Sequence, residues 1–318
     1  MAGKGLVRHR NYSGDSALST ERVSSRYADL DLWPTRDAVL AMLEGQLAAA
    51  AAVQSQVEAI ATAAEDAAAR LGDPRGRLIY AGAGTSGRIA VQDGVELGPT
   101  YGWDSERVIY LLAGGTGALL SSVEGAEDNA AAGEDAIRLA AVTAHDVVIG
   151  VAASGQTAYT IAAVRTAAVV GALTIGIASN AGTPLLKSVT HPIFLDTGAE
   201  IVAGSTRMKA GTAQKIALNL FSTAVMLRLG RTYKGLMVNM RLSNQKLRVR
   251  AAAMICEICG VGRPIAEEAL ARANGDIKLA ALIALGSDPE LGAAALHAAG
   301  GNLRVALTRT SAEKHRAS

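Results

Sequence analysis

The stretch Gly82-Ala83-Gly84-Thr85-Ser86-Gly87 decides the fold, because it joins a short apolar run to a helical pattern. The run before it, 77–81, is Arg-Leu-Ile-Tyr-Ala, which is typical of a buried strand. Glycines between a strand and a helix allow a tight turn and a close approach of the helix to the strand. The stretch therefore predicts the first strand–helix unit of an α/β domain.

Four further apolar runs follow, each separated from the next by enough residues for a helix. They are 108–112, 147–151, 173–177 and 192–195. Near-continuous apolar strands that alternate with helices are typical of a parallel sheet covered on both faces. We therefore predict an α/β fold with a doubly wound, five-stranded parallel sheet of the flavodoxin-like order 2-1-3-4-5, over roughly residues 70–200.

The regions on either side of the predicted sheet are mostly helical in pattern. Residues 1–35 are polar and irregular, and one helix is predicted over 36–71, where Gly72-Asp73-Pro74 would end it. A long helix is predicted over 207–229, and four short helices with glycine-rich joints follow Arg250. The predicted domains are an N-terminal arm and helix packed on the α/β domain (1–70), the α/β domain itself (71–245) and a small helical C-terminal domain (246–318).

The composition of the 318 residues excludes several classes of protein. Half of the residues are hydrophobic and the net charge is only +2, which excludes intrinsic disorder. The 31 basic and 29 acidic residues nearly balance, so neither a nucleic-acid nor a membrane partner is expected. Residues 1–15 hold no apolar run before a cleavage site, so no signal peptide is expected and the location is predicted to be cytoplasmic.

The two cysteines, Cys256 and Cys259, are too few for a disulfide scaffold. Their C-x-x-C spacing lacks both a thioredoxin-like setting and the two further ligands that a zinc site requires. We interpret them as two small apolar residues on a helix.

The first glycine loop satisfies G-x-G-x-x-G but lacks the rest of a dinucleotide site. An NAD site would need an acidic residue at the end of the second strand, where the sequence is Ala113-Gly114-Gly115. No Lys follows Gly87, which excludes a P-loop. Thr85 and Ser86 instead place hydroxyl groups at a helix N-terminus, where free N–H groups and the helix dipole favour an anion.

A second loop of the same kind, Ala153-Ser154-Gly155-Gln156-Thr157, follows the third strand. In the order 2-1-3-4-5 the first and third strands are neighbours at the switch point, so the two loops face one crevice. The alternative is that their hydroxyls are ordinary helix N-caps. We predict that the two loops bind one phosphoryl group through Gly84, Thr85, Ser86, Ser154, Gly155, Gln156 and Thr157.

Paired hydroxyl-bearing loops on a five-stranded parallel sheet resemble the sugar isomerase (SIS) domain, which binds phosphosugars. Three longer strings, 82–88, 123–128 and 204–215, resemble N-acetylmuramic acid 6-phosphate etherases, and the resemblance covers about residues 20–307. It implies a homodimeric carbon–oxygen lyase of cell-wall amino-sugar recycling that needs neither a metal nor another cofactor. The implied substrate is a phosphorylated amino sugar, which would be cleaved to D-lactate and N-acetylglucosamine 6-phosphate.

The resemblance also implies two catalytic carboxylates. Glu127 would be the base that removes the C2 proton of the open-chain aldehyde, and Glu96 would be the proton donor to the departing lactate. Such an elimination needs one ionised and one protonated carboxyl group at the same pH. Glu124 is the local alternative for the base. Because Glu96 follows a helix that leads away from the first loop, it reaches the sugar only if that helix is short.

The chain departs from the family pattern around Glu96 and in the second glycine loop. The usual Ala-Ser-Glu-Cys-Pro-Pro-Thr is here Gly94-Val95-Glu96-Leu97-Gly98-Pro99-Thr100, and the second loop has Gln156 and Ala158 where Arg and Pro are usual. The reaction is therefore better supported than the exact sugar. Two alternatives stay open, a non-catalytic phosphosugar-binding regulatory protein and an aldose–ketose phosphosugar isomerase. No role is assigned to Arg207, Lys209 and Lys215.

Overall fold

A computed structural model describes residues 18–309, so expectations for 1–17 and 310–318 lie outside the described residues. Its centre is a five-stranded sheet of order β2-β1-β3-β4-β5 in which every neighbouring pair is parallel. The strands are β1 Leu78–Gly82, β2 Val108–Leu112, β3 Val147–Val151, β4 Leu173–Ala178 and β5 His191–Phe194. The predicted fold class and strand order are confirmed, and each strand begins and ends within one residue of its prediction.

Both faces of the sheet are covered, because alternate residues of its apolar strands point to opposite sides. The helices of the sheet region are α1 Thr35–Gln54, α2 Val57–Leu71, α3 Gly84–Val95, α4 Leu97–Tyr101, α5 Ala130–Leu139, α6 Ala158–Val169, α7 Pro184–Lys187 and α8 Lys209–Arg228. Leu78 and Tyr80 join the core formed with α1, α2, α3 and α8. Ile79 and Ala81 join the opposite core, formed with α5, α6 and α7.

The single helix predicted over 36–71 is wrong, because the chain bends by 58° between α1 and α2. The bend lies at Gln56, whose backbone leaves the helical region at φ −108° and ψ 8°. Its side-chain Oε1 accepts a hydrogen bond from the Phe194 N–H at 3.1 Å, which ties the bend to the end of β5. A contact 138 residues away in the chain therefore sets the break, and the 36–71 pattern gave no sign of it.

The C-terminal part is helical, as predicted. Its helices are α9 Gln245–Cys259, α10 Arg263–Arg272, α11 Ile277–Ala284 and α12 Pro289–Ala298, and residues 303–309 are helical as well. Their buried apolar residues form a core of their own, from Val238 to Ala306. Within that core, burial and the neighbouring Cys256 raise the pKa of the Cys259 thiol to about 11. This is opposite to the shift that makes a cysteine reactive.

The N-terminal arm, 18–34, contains three short 3₁₀ turns and lies against the carboxyl edge of the sheet. Thr20 is fully buried there, and its backbone oxygen accepts a hydrogen bond from the Gly204 N–H at 3.0 Å. Asn180, just after β4, donates to the Thr20 hydroxyl at 3.1 Å. The arm thus joins the end of β4 to the segment that precedes α8.

Among the described residues, no single helix is long and apolar enough to cross a membrane. Only the bent pair α1 and α2 meets the length and hydropathy requirement when taken together.

Candidate active site

The first glycine loop connects β1 to α3 at the carboxyl edge of the sheet. A Cβ atom at Gly87 would lie 2.3 Å from Leu112 Cδ1, and one at Gly82 would lie 2.9 Å from Gly87 Cα. Gly84 has a φ of +51°, a left-handed conformation that favours glycine. The three glycines therefore let α3 begin directly against β1, with Thr85 and the buried Ser86 in its first turn.

The second loop connects the neighbouring strand β3 to α6, so the structure brings the two loops together as predicted. Gly155 has a φ of +67°, and a Cβ atom there would lie 2.2 Å from Thr183 Oγ1. Its carbonyl oxygen accepts a hydrogen bond from the Leu185 N–H at 3.1 Å. The Ser154 hydroxyl accepts from the Gln156 N–H at 3.1 Å. The loop is thus fixed by one hydrogen bond from the start of α7 and by one within the loop itself.

The helices that begin at these loops lack side-chain caps. Ala83 precedes α3, and Thr157, which precedes α6, makes no capping hydrogen bond. Four other helices, α5, α9, α11 and α12, are capped by the side chains of Asn129, Asn244, Asp276 and Asp288. The interpretation of the loop hydroxyls as ordinary N-caps is therefore wrong. The helices α1, α2, α4, α7 and α10 lack side-chain caps as well, so α3 and α6 differ from them in the loop hydroxyls beside their free N–H groups, which favour an anion.

The chain after β2 places two carboxylates beside the first loop. A cavity of about 180 Å³ is lined by Gly84, Arg88, Glu124 and Glu127 among others. Both glutamates are exposed, and the Arg88 Nε donates to the Ala118 oxygen at 2.9 Å, which holds the guanidinium at the cavity wall. The structure thus brings the expected base and its local alternative to the first glycine loop.

Glu96 is not brought to this cavity within one chain. It lies at the opposite end of α3, whose 12 residues span about 18 Å. One turn earlier, the buried Asp93 accepts hydrogen bonds from Tyr80 Oη at 2.8 Å and Asn219 Nδ2 at 2.6 Å, which fixes the end of the helix against β1 and α8. Glu96 itself is exposed on the surface. The helix is therefore too long for Glu96 to reach the loops of its own chain.

The cations near the start of α8 have different surroundings. The buried Glu200 carboxylate accepts hydrogen bonds from the N–H groups of Lys209 and Ala210, each at 2.9 Å, and so caps the helix. The Lys209 ammonium donates to the Ala199 oxygen at 2.9 Å, and burial lowers the pKa of Lys209 although Glu200 and Asp196 oppose the shift. Lys209 is thus held inside the fold, whereas Arg207 is exposed.

Two residues at this edge of the sheet were not predicted from the sequence. Arg88 follows the glycine string directly, so its place near the start of α3 was the available signal. Asn180 gave no signal, because its partners are remote in the chain. It accepts from the Ser19 hydroxyl at 2.8 Å and donates to the Ala153 oxygen at 3.0 Å, which links the arm to the second loop.

Comparison with known proteins adds two kinds of finding. Residues 53–168 match the glucokinase regulatory protein N-terminal SIS domain, and residues 123–224 match the SIS domain. An N-acetylmuramic acid 6-phosphate etherase of Deinococcus radiodurans is 46% identical over 91% of this chain and 94% of its own length. A protein of the same name from Cronobacter sakazakii is 44% identical over 92% of this chain and 98% of its own.

Proposed function

The chain belongs to the N-acetylmuramic acid 6-phosphate etherase family, and we propose from this premise which of its residues carry out the reaction. The enzyme is a carbon–oxygen lyase. It cleaves the D-lactyl ether at C3 of N-acetylmuramic acid 6-phosphate, and the products are D-lactate and N-acetylglucosamine 6-phosphate. The observation that carries the residue assignment is the pair of uncapped, hydroxyl-bearing helix N-termini at adjacent strands, next to a cavity lined by Glu127.

The two loops hold the 6-phosphate. Thr85, Ser86 and Thr157 make no side-chain hydrogen bond within the described part of the chain, so their hydroxyls are free to donate to phosphate oxygens. The first-turn N–H groups of α3 and α6 add donors, and both helix dipoles favour the negative charge. Gly84, Ser154, Gly155 and Gln156 complete this phosphate site.

Glu127 is the base of the elimination. Its cavity adjoins Gly84, so a sugar anchored by its phosphate extends past this carboxylate. The carboxylate takes the C2 proton, the C2–H electron pair forms the C2=C3 double bond, and the C3–O bond breaks. The ether oxygen leaves with a proton from the acid, and water then adds at C3 while C2 regains a proton. General acid–base catalysis of this kind contributes about 10²- to 10⁴-fold per group.

Glu96 is the acid, and it is supplied by a second copy of the chain. It is exposed at the end of α3 remote from its own loops, which leaves the partner's site as the place where it can act. In a two-fold dimer each chain would give its Glu96 to the other chain's phosphate loops.

The outer face of α1 supports such a homodimer. Its inner face, Ala41, Gly45, Ala49 and Val53, is buried against the core. The opposite face carries a stripe of exposed apolar side chains, in which Val39 is 53% and Leu47 63% exposed, together with Leu40 and Leu43. A continuous apolar stripe on a folded protein is typical of an interaction surface.

Subunit mixing tests the shared site. A mixed dimer with Glu96→Ala in one chain and Glu127→Ala in the other would hold one intact site and one doubly altered site. We expect about half of the wild-type activity from it, while both parent homodimers stay inactive. An inactive mixed dimer would contradict the sharing of Glu96 between chains.

The reaction itself is tested by incubating the protein with N-acetylmuramic acid 6-phosphate and measuring D-lactate. We expect D-lactate and N-acetylglucosamine 6-phosphate in equal amounts. Protein that binds the phosphosugar but releases no D-lactate would overturn the proposed function. The unphosphorylated sugar is the control, since it lacks the group that the loops hold.

For the organisation of the chain we propose the three domains 1–70, 71–245 and 246–318, and a cytoplasmic location. The separate apolar core from Val238 to Ala306 supports the small C-terminal domain. The burial of Ala49, Val53 and Ile60 in the core of the sheet supports an N-terminal region that packs on the SIS domain.

A further inference from the structure

The proposed phosphate site contains no charged side chain. Its residues are Gly84, Thr85, Ser86, Ser154, Gly155, Gln156 and Thr157. A phosphate monoester carries about 1.5 to 2 negative charges at pH 7, whereas each helix N-terminus offers roughly half a positive charge. This chain also has Gln156 at the loop position where Arg is usual in the family. The two loops by themselves therefore leave part of the phosphate charge without a counter-charge.

A second cavity, of about 780 Å³, lies beside the second loop. It is lined by Gln156 of that loop, by Asn180 just after β4, and by Ser19 and Arg22 of the N-terminal arm. Glu127 lines the other cavity, beside the first loop. Because Glu127 takes the C2 proton, the reacting carbons of the sugar lie toward that first cavity. The end of the substrate that faces the second cavity is therefore its phosphate.

The arm is held against the base of the second loop by the Asn180 side chain. Its Nδ2 donates to the Thr20 hydroxyl at 3.1 Å and to the Ala153 oxygen at 3.0 Å. Its Oδ1 accepts from the Ser19 hydroxyl at 2.8 Å, and Thr20 is fully buried. Since Arg22 follows Thr20 by only two residues, these contacts fix the position of its backbone relative to the loop.

Arg22 brings an unpaired positive charge to the second cavity. Its side chain is exposed and has no hydrogen bond or ion pair to any of residues 18–309. The carboxylate of the adjacent Glu21 points toward Gly204, since one of its oxygens lies 2.8 Å from the Cβ position there. Asp196 also lines the cavity, but it interacts with the Lys209 ammonium. The Arg22 guanidinium is therefore available to an anion.

We propose that Arg22 binds the 6-phosphate of the substrate from the side of the second cavity and supplies the positive charge that Gln156 does not. This inference rests on the proposed function, because it takes the two loops as the phosphate site. A guanidinium offers two parallel N–H donors that match two phosphate oxygens. The loop hydroxyls and N–H groups hold the phosphate from the other side, so the N-terminal arm is part of the substrate site.

The test measures the dissociation constant of N-acetylglucosamine 6-phosphate by calorimetry, which needs no turnover. We expect Arg22→Leu to raise it about 10-fold or more, as for loss of a charge-assisted hydrogen bond. The unfolding temperature should stay near that of the wild type, because Arg22 is exposed and unpaired. The control is Arg26→Leu, which removes the same charge from the same arm but at a residue that pairs with Glu44 on the surface. The control should bind like the wild type.

Adding Gln156→Arg to both backgrounds makes the test specific for charge at the phosphate. In the Arg22→Leu background it should recover most of the affinity, because it places a cation in the loop itself. In the wild-type background it should improve the affinity much less, because Arg22 already supplies that charge.

An unchanged dissociation constant in Arg22→Leu would overturn the proposal. A double variant as weak as Arg22→Leu would overturn it as well, because a structural role of the arm is not replaced by a cation in the loop. Equal improvement by Gln156→Arg in both backgrounds would show that the two positions act independently, which also contradicts it. A wild type that does not bind the phosphosugar would remove the phosphate site altogether. A wild type that binds it but releases no D-lactate from N-acetylmuramic acid 6-phosphate would overturn only the proposed reaction.

Discussion

Polar groups at the amino edge of the central sheet are paired within the fold, whereas several at its carboxyl edge are left unpaired. At the amino edge, the Arg77 guanidinium donates hydrogen bonds to the Asp146 carboxylate at 2.7 Å and to the Ala140 and Ala141 oxygens at 3.0 and 2.9 Å. At the carboxyl edge, α3 and α6 begin without side-chain caps, and Arg22 has no partner within residues 18–309. Groups satisfied inside the fold stabilise it, whereas groups left free are available to a ligand.

Arg107 repeats the pattern of the amino edge. Its guanidinium donates to the Gly76, Leu71 and Asp73 oxygens at 2.7, 2.7 and 2.9 Å and lies 4.3 Å from the centre of the Trp103 ring. A cation with this many acceptors is not available to a substrate. Substitutions of these satisfied residues at the amino edge should therefore change stability, and substitutions of the unpaired residues at the carboxyl edge should change activity.

The largest expected effect is on activity at the carboxyl edge. Glu127→Gln should lower kcat for D-lactate release about 10²- to 10⁴-fold, because it removes the base at C2. Because Glu127 is exposed, the unfolding temperature of the Glu127→Gln variant should stay near that of the wild type. Glu124→Gln is the matched control in the same cavity, and a greater loss of activity there would assign the base to Glu124.

The next largest effect is on stability at the amino edge. Asp146 is fully buried, so Asp146→Asn leaves the Arg77 guanidinium without its counter-charge and should lower the free energy of unfolding by about 3 kcal/mol. Urea denaturation measures this loss, and the folded variant should keep the kcat of the wild type. The control is Asp135→Asn, because Asp135 is exposed and pairs with Arg138 on the surface. This substitution should change the free energy of unfolding little.

The same pair predicts a dependence of stability on pH. Burial alone would raise the pKa of Asp146, but hydrogen bonds from Arg77 and Thr143 outweigh it and hold the pKa below its ordinary value. The stabilisation is therefore complete above the unfolded-state pKa of about 3.9 and is lost as pH falls through the folded-state value. The difference in unfolding free energy between wild type and Asp146→Asn should shrink below about pH 4. A difference that stays constant would mean that Asp146 is not the group that titrates.

The smallest expected effects are on stability at a capped helix, α9, and on substrate affinity at an uncapped one, α6. Asn244 caps α9 by accepting from the Leu247 N–H at 3.0 Å, so Asn244→Ala should cost about 1 kcal/mol of stability. Thr157 makes no such bond, so Thr157→Ala should leave stability nearly unchanged and raise the KM for the phosphosugar several-fold. Denaturant titration should show a stability loss only in Asn244→Ala, and steady-state kinetics should show a higher KM only in Thr157→Ala. A loss of stability in Thr157→Ala would contradict the view that its hydroxyl is free for the ligand.

Local patterns in the sequence were enough to predict the sheet and the two loops. The strands are short apolar runs, and the glycines that permit the turns at Gly84 and Gly155 lie within the loops themselves. Contacts between remote residues were not predictable in this way. Gln56 meets Phe194, Asp146 meets Arg77 and Asn180 meets Thr20, and none of these pairs has a signature in its own stretch of chain.

The position of Glu96 relative to the loops was not predictable from the sequence. The family pattern singled out the residue, and the sequence limited its reach to the case of a short helix. Because α3 has 12 residues, it is not short enough for Glu96 to reach the loops of its own chain. A catalytic role for Glu96 therefore depends on how two copies of the chain associate. A single chain's pattern of residues carries no direct statement about that geometry.

The most direct test of the division of labour between the two glutamates is exchange of the C2 proton of N-acetylmuramic acid 6-phosphate with deuterium from solvent. Glu96→Ala should still catalyse the exchange while it releases no D-lactate, because the base at C2 is intact. Glu127→Ala should catalyse neither. Exchange that is lost in Glu96→Ala and kept in Glu127→Ala would contradict the assignment and place the base at Glu96.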